Sequence, residues 1–462
     1  MIHRNTNGIA STTASDLQEG DACDRVQLME LLDWIEAQAH FSAEKIEAAI
    51  SATHLKRIRE PFSQTVIPAK GSVLASTVMG DWNPNPDYFF HWVRDSAIVM
   101  RTVAELAAAS DKTERRRWTA HFEDFVRFSL KLTQIDSRSA LQSGSPRTKA
   151  RPEFRKFVRE DAEFAALTGD RLLGEPRYNP DGTIDVLRWS CPQYDGPALR
   201  ALACLGHLTL GGTASPELMA LLQRDLDFTR RHAAQPCIGP WEEPDENTHH
   251  YYVAVVQLAA LLHGRKWWES EIEQATAELR AVLERHWSPS EGVYSAIYPQ
   301  KAQERDQIID SACLLAVLDA DLPDGPHSVQ DPRVWHTLKA LEDLFAREFP
   351  INRGRSVPAL GRSYADRYFG GGAWYVTTLA AASLCYRRSM QDPEMRSNFF
   401  TRGDVFMRTV RDLTPSTGVL SEQVDRATGA QTSAQDLTWS YAAFVTAANL
   451  RERAAERLGK IF

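Results

Sequence analysis

The sequence is poor in the features that mark several large protein classes. Its six cysteines (Cys23, Cys191, Cys204, Cys237, Cys313, Cys385) are scattered over 462 residues without a CxxC pair. They form no recognisable disulfide framework, and Cys204, Cys313 and Cys385 fall inside apolar helical runs, as buried thiols of a reducing compartment would. No stretch reaches the ~18 consecutive apolar residues of a membrane span. The N-terminus, MIHRNTNGIASTTASDLQEG, lacks the basic-then-apolar plan of a signal peptide, so a cytoplasmic location is expected. An excess of positive charge is also missing. With 53 basic and 61 acidic residues the formal charge is -8, which argues against nucleic acid or an anionic membrane as partner and favours a neutral or small substrate. The basic stretches TERRRW and RTKARPEFRKFVRE carry no interleaved aromatic platform and are expected to be solvated helix faces. There is no GxSxG elbow, P-loop or dinucleotide fingerprint, so serine-hydrolase and nucleotide chemistry lack support. His249 and His250 are adjacent and would point apart on a helix or a strand. No HExxH or Cys/His ligand spacing accompanies them, so neither a metal nor a cofactor is expected.

What the sequence does have is apolar helix. With 43% hydrophobic and 25% charged residues the chain can bury a large core and has no disordered composition. Length alone suggests about three domains, but no linker divides it. Helical periodicity runs through LLDWIEAQAHFSAEKIEAAISATHL, DSAIVMRTVAELAAAS from Asp95, DGPALRALACLGHLTLGG from Asp195, VAVVQLAALLHG from Val253, WYVTTLAAASLCYRR from Trp374 and DLTWSYAAFVTAANLRERAAERL from Asp436, whereas convincing strands are few. Asp95, Asp195 and Asp436 stand in N-cap-like places, Pro197 in a first turn, and Gly211-Gly212 and Gly264 behind helix ends. The expected fold is all-α, with a dozen or so helices. Some are apolar or small on nearly every face and others, such as EIEQATAELRAVLERHW, are amphipathic, which suggests inner and outer helices. A ring of helical hairpins would also let so long a chain stay undivided, although no clean internal repeat is visible.

Polar and aromatic residues gather in five loops that lead into the buried helices: NPDYFFHWVRD, RWSCPQYDGP, GPWEEPDEN, GRSYADRYFGGGAW and LSEQVD. If these loops share one end of a ring, Tyr88, Trp92, Trp189, Trp241 and Trp374 meet Arg94, Asp95, Glu242, Glu243, Arg362 and Glu422 in one pocket. Aromatic plates beside carboxylates and arginines suit a sugar. Glycosidic hydrolysis needs one carboxylic acid on the leaving oxygen and an opposed carboxylate, and an acid beside Trp241 in a water-poor pocket would have a raised pKa. Plainer readings stand beside these. Asp95 and Asp436 could be only caps, Glu242 and Glu243 could complement a helix dipole, Glu422 could be a solvated acid, Arg362 a structural ion pair and Trp374 core.

Five motifs in order, GSVLAS…NPDYFFHWVRDSAIV, PQYDGPALRA, PWEEPDEN…VAVVQLAAL, GGGAWYVTTLA and SEQVDRATGAQTSAQDLTWSYAAFVTA, resemble the glucoamylase family, glycoside hydrolase family 15, from Gly71 to Ala447. The resemblance implies an (α/α)6 barrel, with residues 1–60 a helical extension packed on it and 61–462 a single catalytic domain. It implies an inverting, exo-acting α-glucosidase releasing β-glucose from α-glucans or short malto- and isomalto-oligosaccharides. By motif, Glu242 matches the general acid and Glu422 the general base. Arg94 and Asp95 match the pair holding the terminal glucose, Arg362 a further binding arginine, and Glu243 the carboxylate at the next sugar. Tyr88, Trp92, Trp189, Trp241 and Trp374 match aromatic wall positions. The chain departs from the pattern at Gly239-Pro240, where Asp-Leu is usual, at Cys191, where arginine is common, and in a longer PDENTHH loop, so trehalose or α-1,6-glucans remain alternative substrates. A non-catalytic sugar-binding protein and a phosphorolytic enzyme are alternatives of other classes, against which the presence of both Glu242 and Glu422 counts. No starch-binding domain is expected after the last helix, nor a large β-sandwich ahead of Gly71, so the expected partner is a soluble oligosaccharide.

Overall fold

The computed structural model describes residues 14–81, 85–243, 247–268, 271–299 and 305–459, with side chains except those of 14–28 and 307. Pro244, Asp245 and Glu246 of the PDENTHH loop, the first thirteen residues and the side chain of Cys23 lie outside the described set.

Among the described residues, twelve helices of nine residues or more alternate between two layers. They are α1 (Ala14–Ala49), α2 (Val93–Ala109), α3 (Lys112–Leu132), α4 (Asp195–Thr209), α5 (Pro216–Arg231), α6 (Tyr251–Gly264), α7 (Glu273–Glu284), α8 (Ala312–Ala320), α9 (Pro332–Glu348), α10 (Tyr375–Gln391), α11 (Arg396–Leu413) and α12 (Thr438–Arg457). The even-numbered helices close a ring, α2 on α4, α4 on α6, α6 on α8, α8 on α10, α10 on α12 and α12 back on α2. The odd-numbered helices pack outside them, and α1, expected as an extension on the barrel, lies against α12 as its outer neighbour. This is an (α/α)6 barrel.

The two layers follow from composition. Ala198, Leu199, Ala201, Leu202, Ala203, Cys204 and Leu205 of α4 are all buried, since a helix enclosed on every side has no polar stripe to show. In α9, Val334, Leu338, Leu341, Leu344 and Phe345 are buried at helical spacing, and each such side chain contributes roughly 1.5 to 3 kcal/mol on burial. Close approach between neighbouring inner helices uses small residues. At Gly196 a Cβ would stand 2.9 Å from Val93 Cγ1, so the first turn of α4 could not sit against α2 with any other residue there. Cys204, Cys237, Cys313 and Cys385 are buried thiols and Cys191 is half-buried.

The helix starts differ between layers. Outer helices α3, α5 and α9 are capped by the side chains of Asp111, Ser215 and Asp331. None of the six inner helices has a side-chain cap; their N-cap residues are Trp92, Tyr194, His250, Ser311, Trp374 and Leu437. The N-cap-like places expected for three aspartates are therefore corrected. Asp95 is the third residue of α2 and Asp195 the first of α4. Asp436 lies before the cap of α12, in the left-handed region at φ 50°, where its carboxylate takes the Tyr441 hydroxyl and the Lys45 ammonium. No helix among the described residues is long and apolar enough to cross a membrane.

Candidate active site

All six inner helices run the same way, because each is entered from an outer helix, so their N-termini share one end of the barrel. Short extended segments lead into them and pair with one another. His91-Trp92 pairs with Arg177-Tyr178, and Ala373-Trp374 pairs with Gln423-Val424. The second pairing carries Glu422, one residue upstream of its strand, to the side of Trp374. At this end lies a cavity of about 420 Å³. Every one of the eleven residues singled out from sequence lines it: Tyr88, Trp92, Arg94, Asp95, Trp189, Trp241, Glu242, Glu243, Arg362, Trp374 and Glu422. Trp439, in the first turn of α12, lines both this cavity and a small void between the inner helices.

Glu242 sits in the left-handed region, φ 62°, which costs a non-glycine residue on the order of 1 kcal/mol. Its surroundings fix it there. The backbone N–H donates to Gly239 O at 3.0 Å. Oε1 accepts from Trp92 Nε1 at 2.9 Å, from Arg94 at 3.1 Å and from Gln193 Nε2 at 3.1 Å. Oε2 accepts from Trp189 Nε1 alone among described donors. Arg94 is the hub of this wall, since it also donates to Asp195 at 2.9 Å and lies 3.6 Å from Asp95 Oδ2. The tryptophans are themselves braced, with the buried Arg177 guanidinium 3.5 Å from the Trp189 ring centre and 4.8 Å from that of Trp92, a contact that the ring quadrupole favours.

Glu422 occupies the other wall. Tyr88 donates its hydroxyl to Oε1 at 3.1 Å, and Ser433 donates to Oε2. Tyr88 also meets the Tyr368 hydroxyl at 2.9 Å. Burial pushes the Glu422 carboxyl up to about 7 against the pull of these two hydroxyls. Burial likewise raises Asp95 to about 6, against the Arg94 charge, and Asp310 to about 7, against the N–H donors of Ala312 and Trp241. Two carboxyls lining one cavity and held by different donors are what acid and base chemistry can use.

The third wall is aromatic and cationic. Trp241 and Trp374 lie with ring centres 5.3 Å apart, and the Arg362 guanidinium stands 5.2 Å from the first and 5.5 Å from the second. Arg362 pairs with Glu243 and with Asp366 at 3.2 Å. Arg362 is thus the ion-paired residue of the plainer reading and a cavity residue as well. Sequence reasoning did not single out Gln193, Asp310, Tyr368, Ser433 or Trp439, and took Asp195 only as a helix cap. Gln193, Asp195, Tyr368, Ser433 and Trp439 lie inside the stretches already marked, whereas Asp310 belongs to none of them.

A family model, Glycosyl hydrolases family 15, matches residues 54–398 and 393–449. The chain is similar to a probable glucoamylase of Schizosaccharomyces pombe, 27% identical over 415 residues that cover 80% of this chain and 83% of the relative. It is also similar to glucoamylase-1 of Schizophyllum commune, 26% identical with 90% and 74% covered. Among solved structures, the glucoamylase of Hormoconis resinae superposes with a TM-score of 0.73 at 23% identity, covering 91% of this chain and 74% of the other. That of Saccharomycopsis fibuligera does so with 0.71 at 23%, covering 92% and 96%. These two share the fold.

Proposed function

Since the chain belongs to the glycosyl hydrolases of family 15 and is a glycoside hydrolase, we propose that it removes glucose from the non-reducing ends of α-glucosides by inversion, as a glucoamylase does. The observation that carries this reading is the pair of carboxyls, Glu242 and Glu422, on different walls of one tryptophan-lined cavity.

Hydrogen-bond accounting supports the roles. Oε1 of Glu242 is filled by three N–H donors, so the oxygen free to exchange a proton with a glycosidic oxygen is Oε2, which takes only the Trp189 indole. Glu242 is the general acid through that atom. Glu422, between the Tyr88 and Ser433 hydroxyls, takes a proton from the attacking water. Inversion requires room for that water between carboxyls roughly 6.5 to 9.5 Å apart. Asp95 holds hydroxyls of the terminal sugar; Arg94, whose two terminal nitrogens donate to Glu242, Gln193 and Asp195, orients the acid. The paired Glu243 and Arg362 receive the leaving sugar, and the tryptophans supply its apolar faces. A cavity lined at its inner end by Trp439 supports attack at chain ends, and the linkage cleaved depends on the leaving-sugar side.

The test is time-resolved proton NMR with maltotriose, isomaltotriose and trehalose. The expected early product is β-glucose from maltotriose or isomaltotriose, or equal α- and β-glucose from trehalose, whose leaving sugar keeps its α configuration, and the fastest substrate names the linkage. Early α-glucose without β-glucose would remove the base role from Glu422. No glucose from any of the three would leave a sugar-binding protein.

A further inference from the structure

Trp241 has one polar atom, and that atom is bound within the protein. Its indole N–H donates to Asp310 Oδ1 at 2.8 Å, and the same oxygen accepts the backbone N–H of Ala312, the first residue of α8, at 2.7 Å. Asp310 is itself held by its neighbours. It bridges backbone to backbone with Ser363, and the next residue, Ser311, donates from its N–H to Arg362 O at 2.8 Å and from its hydroxyl to Gly361 O at 2.7 Å. One carboxylate oxygen therefore ties the start of an inner helix to the indole next in sequence to Glu242, and the backbone at Asp310 and Ser311 holds both to the segment that carries Arg362. The turn after Gly239 is strained at Glu242, so its course depends on what holds the residues on either side.

We propose that Asp310 is a positioning residue of the hydrolytic site, fixing through the Trp241 indole the turn that presents Glu242 and Glu243 to the cavity. The inference rests on the reading of Glu242 as the acid. Acceptance, and not charge, is what the bond requires. Burial pushes the Asp310 carboxyl up to about 7, and a protonated carboxyl still keeps an accepting oxygen. Asparagine, which also accepts through Oδ1, should replace it, whereas leucine should not.

The experiment compares wild type, Asp310→Asn, Asp310→Leu, Trp241→Phe and the Asp310→Leu/Trp241→Phe double variant. It reads kcat and KM separately on the fastest of the three sugars named above, together with the 15N-indole resonance of Trp241. Asp310→Leu should lower kcat by about tenfold or more while KM moves less than about threefold, because a misplaced acid slows chemistry before it weakens binding. Asp310→Asn should stay within about threefold of wild type, and Asp310→Leu should cost less than about threefold in the phenylalanine background, where no indole remains to hold. The Trp241 N–H line should move strongly in the leucine variant and little in the asparagine one.

Equal losses from Asp310→Leu in both backgrounds would reduce Asp310 to a support for α8. An asparagine variant as impaired as the leucine one would make charge the essential property, and either result overturns the proposal. Should the leucine variant not fold, Asp310→Ala carries the same comparison. If wild type hydrolyses none of the sugars, the reading of the site fails, while the indole resonance still decides whether Asp310 holds Trp241.

Discussion

Tyr88 and Trp92 lie with ring centres 5.1 Å apart, and each donates to a different cavity glutamate. The Tyr88 hydroxyl donates to Glu422 and the Trp92 indole to Glu242. Four residues apart in the chain, on the turn into α2, they couple two acids that are 180 residues apart in sequence. One short aromatic turn therefore contacts both glutamates.

Removing the Tyr88 hydroxyl should move the pH profile. Its hydrogen bond favours the ionised form of Glu422, whose carboxyl burial already pushes up to about 7. A base must be ionised to act, so kcat/KM should fall as pH drops through that region. In Tyr88→Phe the fall should begin at higher pH. An unchanged acid limb would mean that another group titrates there.

Glu242→Gln should lower turnover on oligosaccharides by roughly 10²-fold or more, and much less on α-glucosyl fluoride, whose leaving group needs no proton. Equal losses on both substrates would point to a disturbed cavity and away from general acid catalysis.

Asp95→Asn should cost roughly 1.5 to 3 kcal/mol in kcat/KM, the scale of a hydrogen bond to a charged group. Asp95 is the third residue of α2 and does not cap it, so melting temperature should not fall in step. A loss of stability with intact kinetics would return Asp95 to a purely structural role.

Glu422 should make the protein less stable as pH rises. Its ordinary value of 4.5 is raised to about 7 in the fold, so between these pH values the folded chain binds the proton that the unfolded chain has released. Stability from this group is complete below about 4.5 and is lost as pH climbs through about 7, by at most on the order of 3 kcal/mol. Denaturant unfolding of wild type and Glu422→Gln at pH 5 and pH 8 measures it. The glutamine variant should gain relative to wild type at pH 8 only.

Arg177→Met should destabilise by about 3 to 5 kcal/mol, because it leaves the buried Asp185 without the partner that now stands 2.8 Å away. Arg177→Lys should still loosen the tryptophan wall, since an ammonium cannot lie flat on Trp189 as the guanidinium does. Urea denaturation and tryptophan fluorescence check the two effects.

Much of this molecule was determined locally. A helix that must be buried on every side needs apolar or small residues at every position, and a helix on the outside needs one stripe. The inner and outer layers could therefore be read from runs such as VAVVQLAALLHG and EIEQATAELRAVLERHW. The cavity residues were legible for the same reason, because polar and aromatic residues packed into loops ahead of such helices have few other places to go. Tertiary structure decided what depends on distance between segments. Asp436 has an N-cap's sequence context, yet the Tyr441 hydroxyl and Lys45 of α1 claim its carboxylate. Asp310 had no local signature at all, because its meaning lies in an indole 69 residues away. The elevated carboxyl of Glu422 likewise comes from desolvation by walls drawn from several loops, and no stretch of sequence around SEQ contains that information.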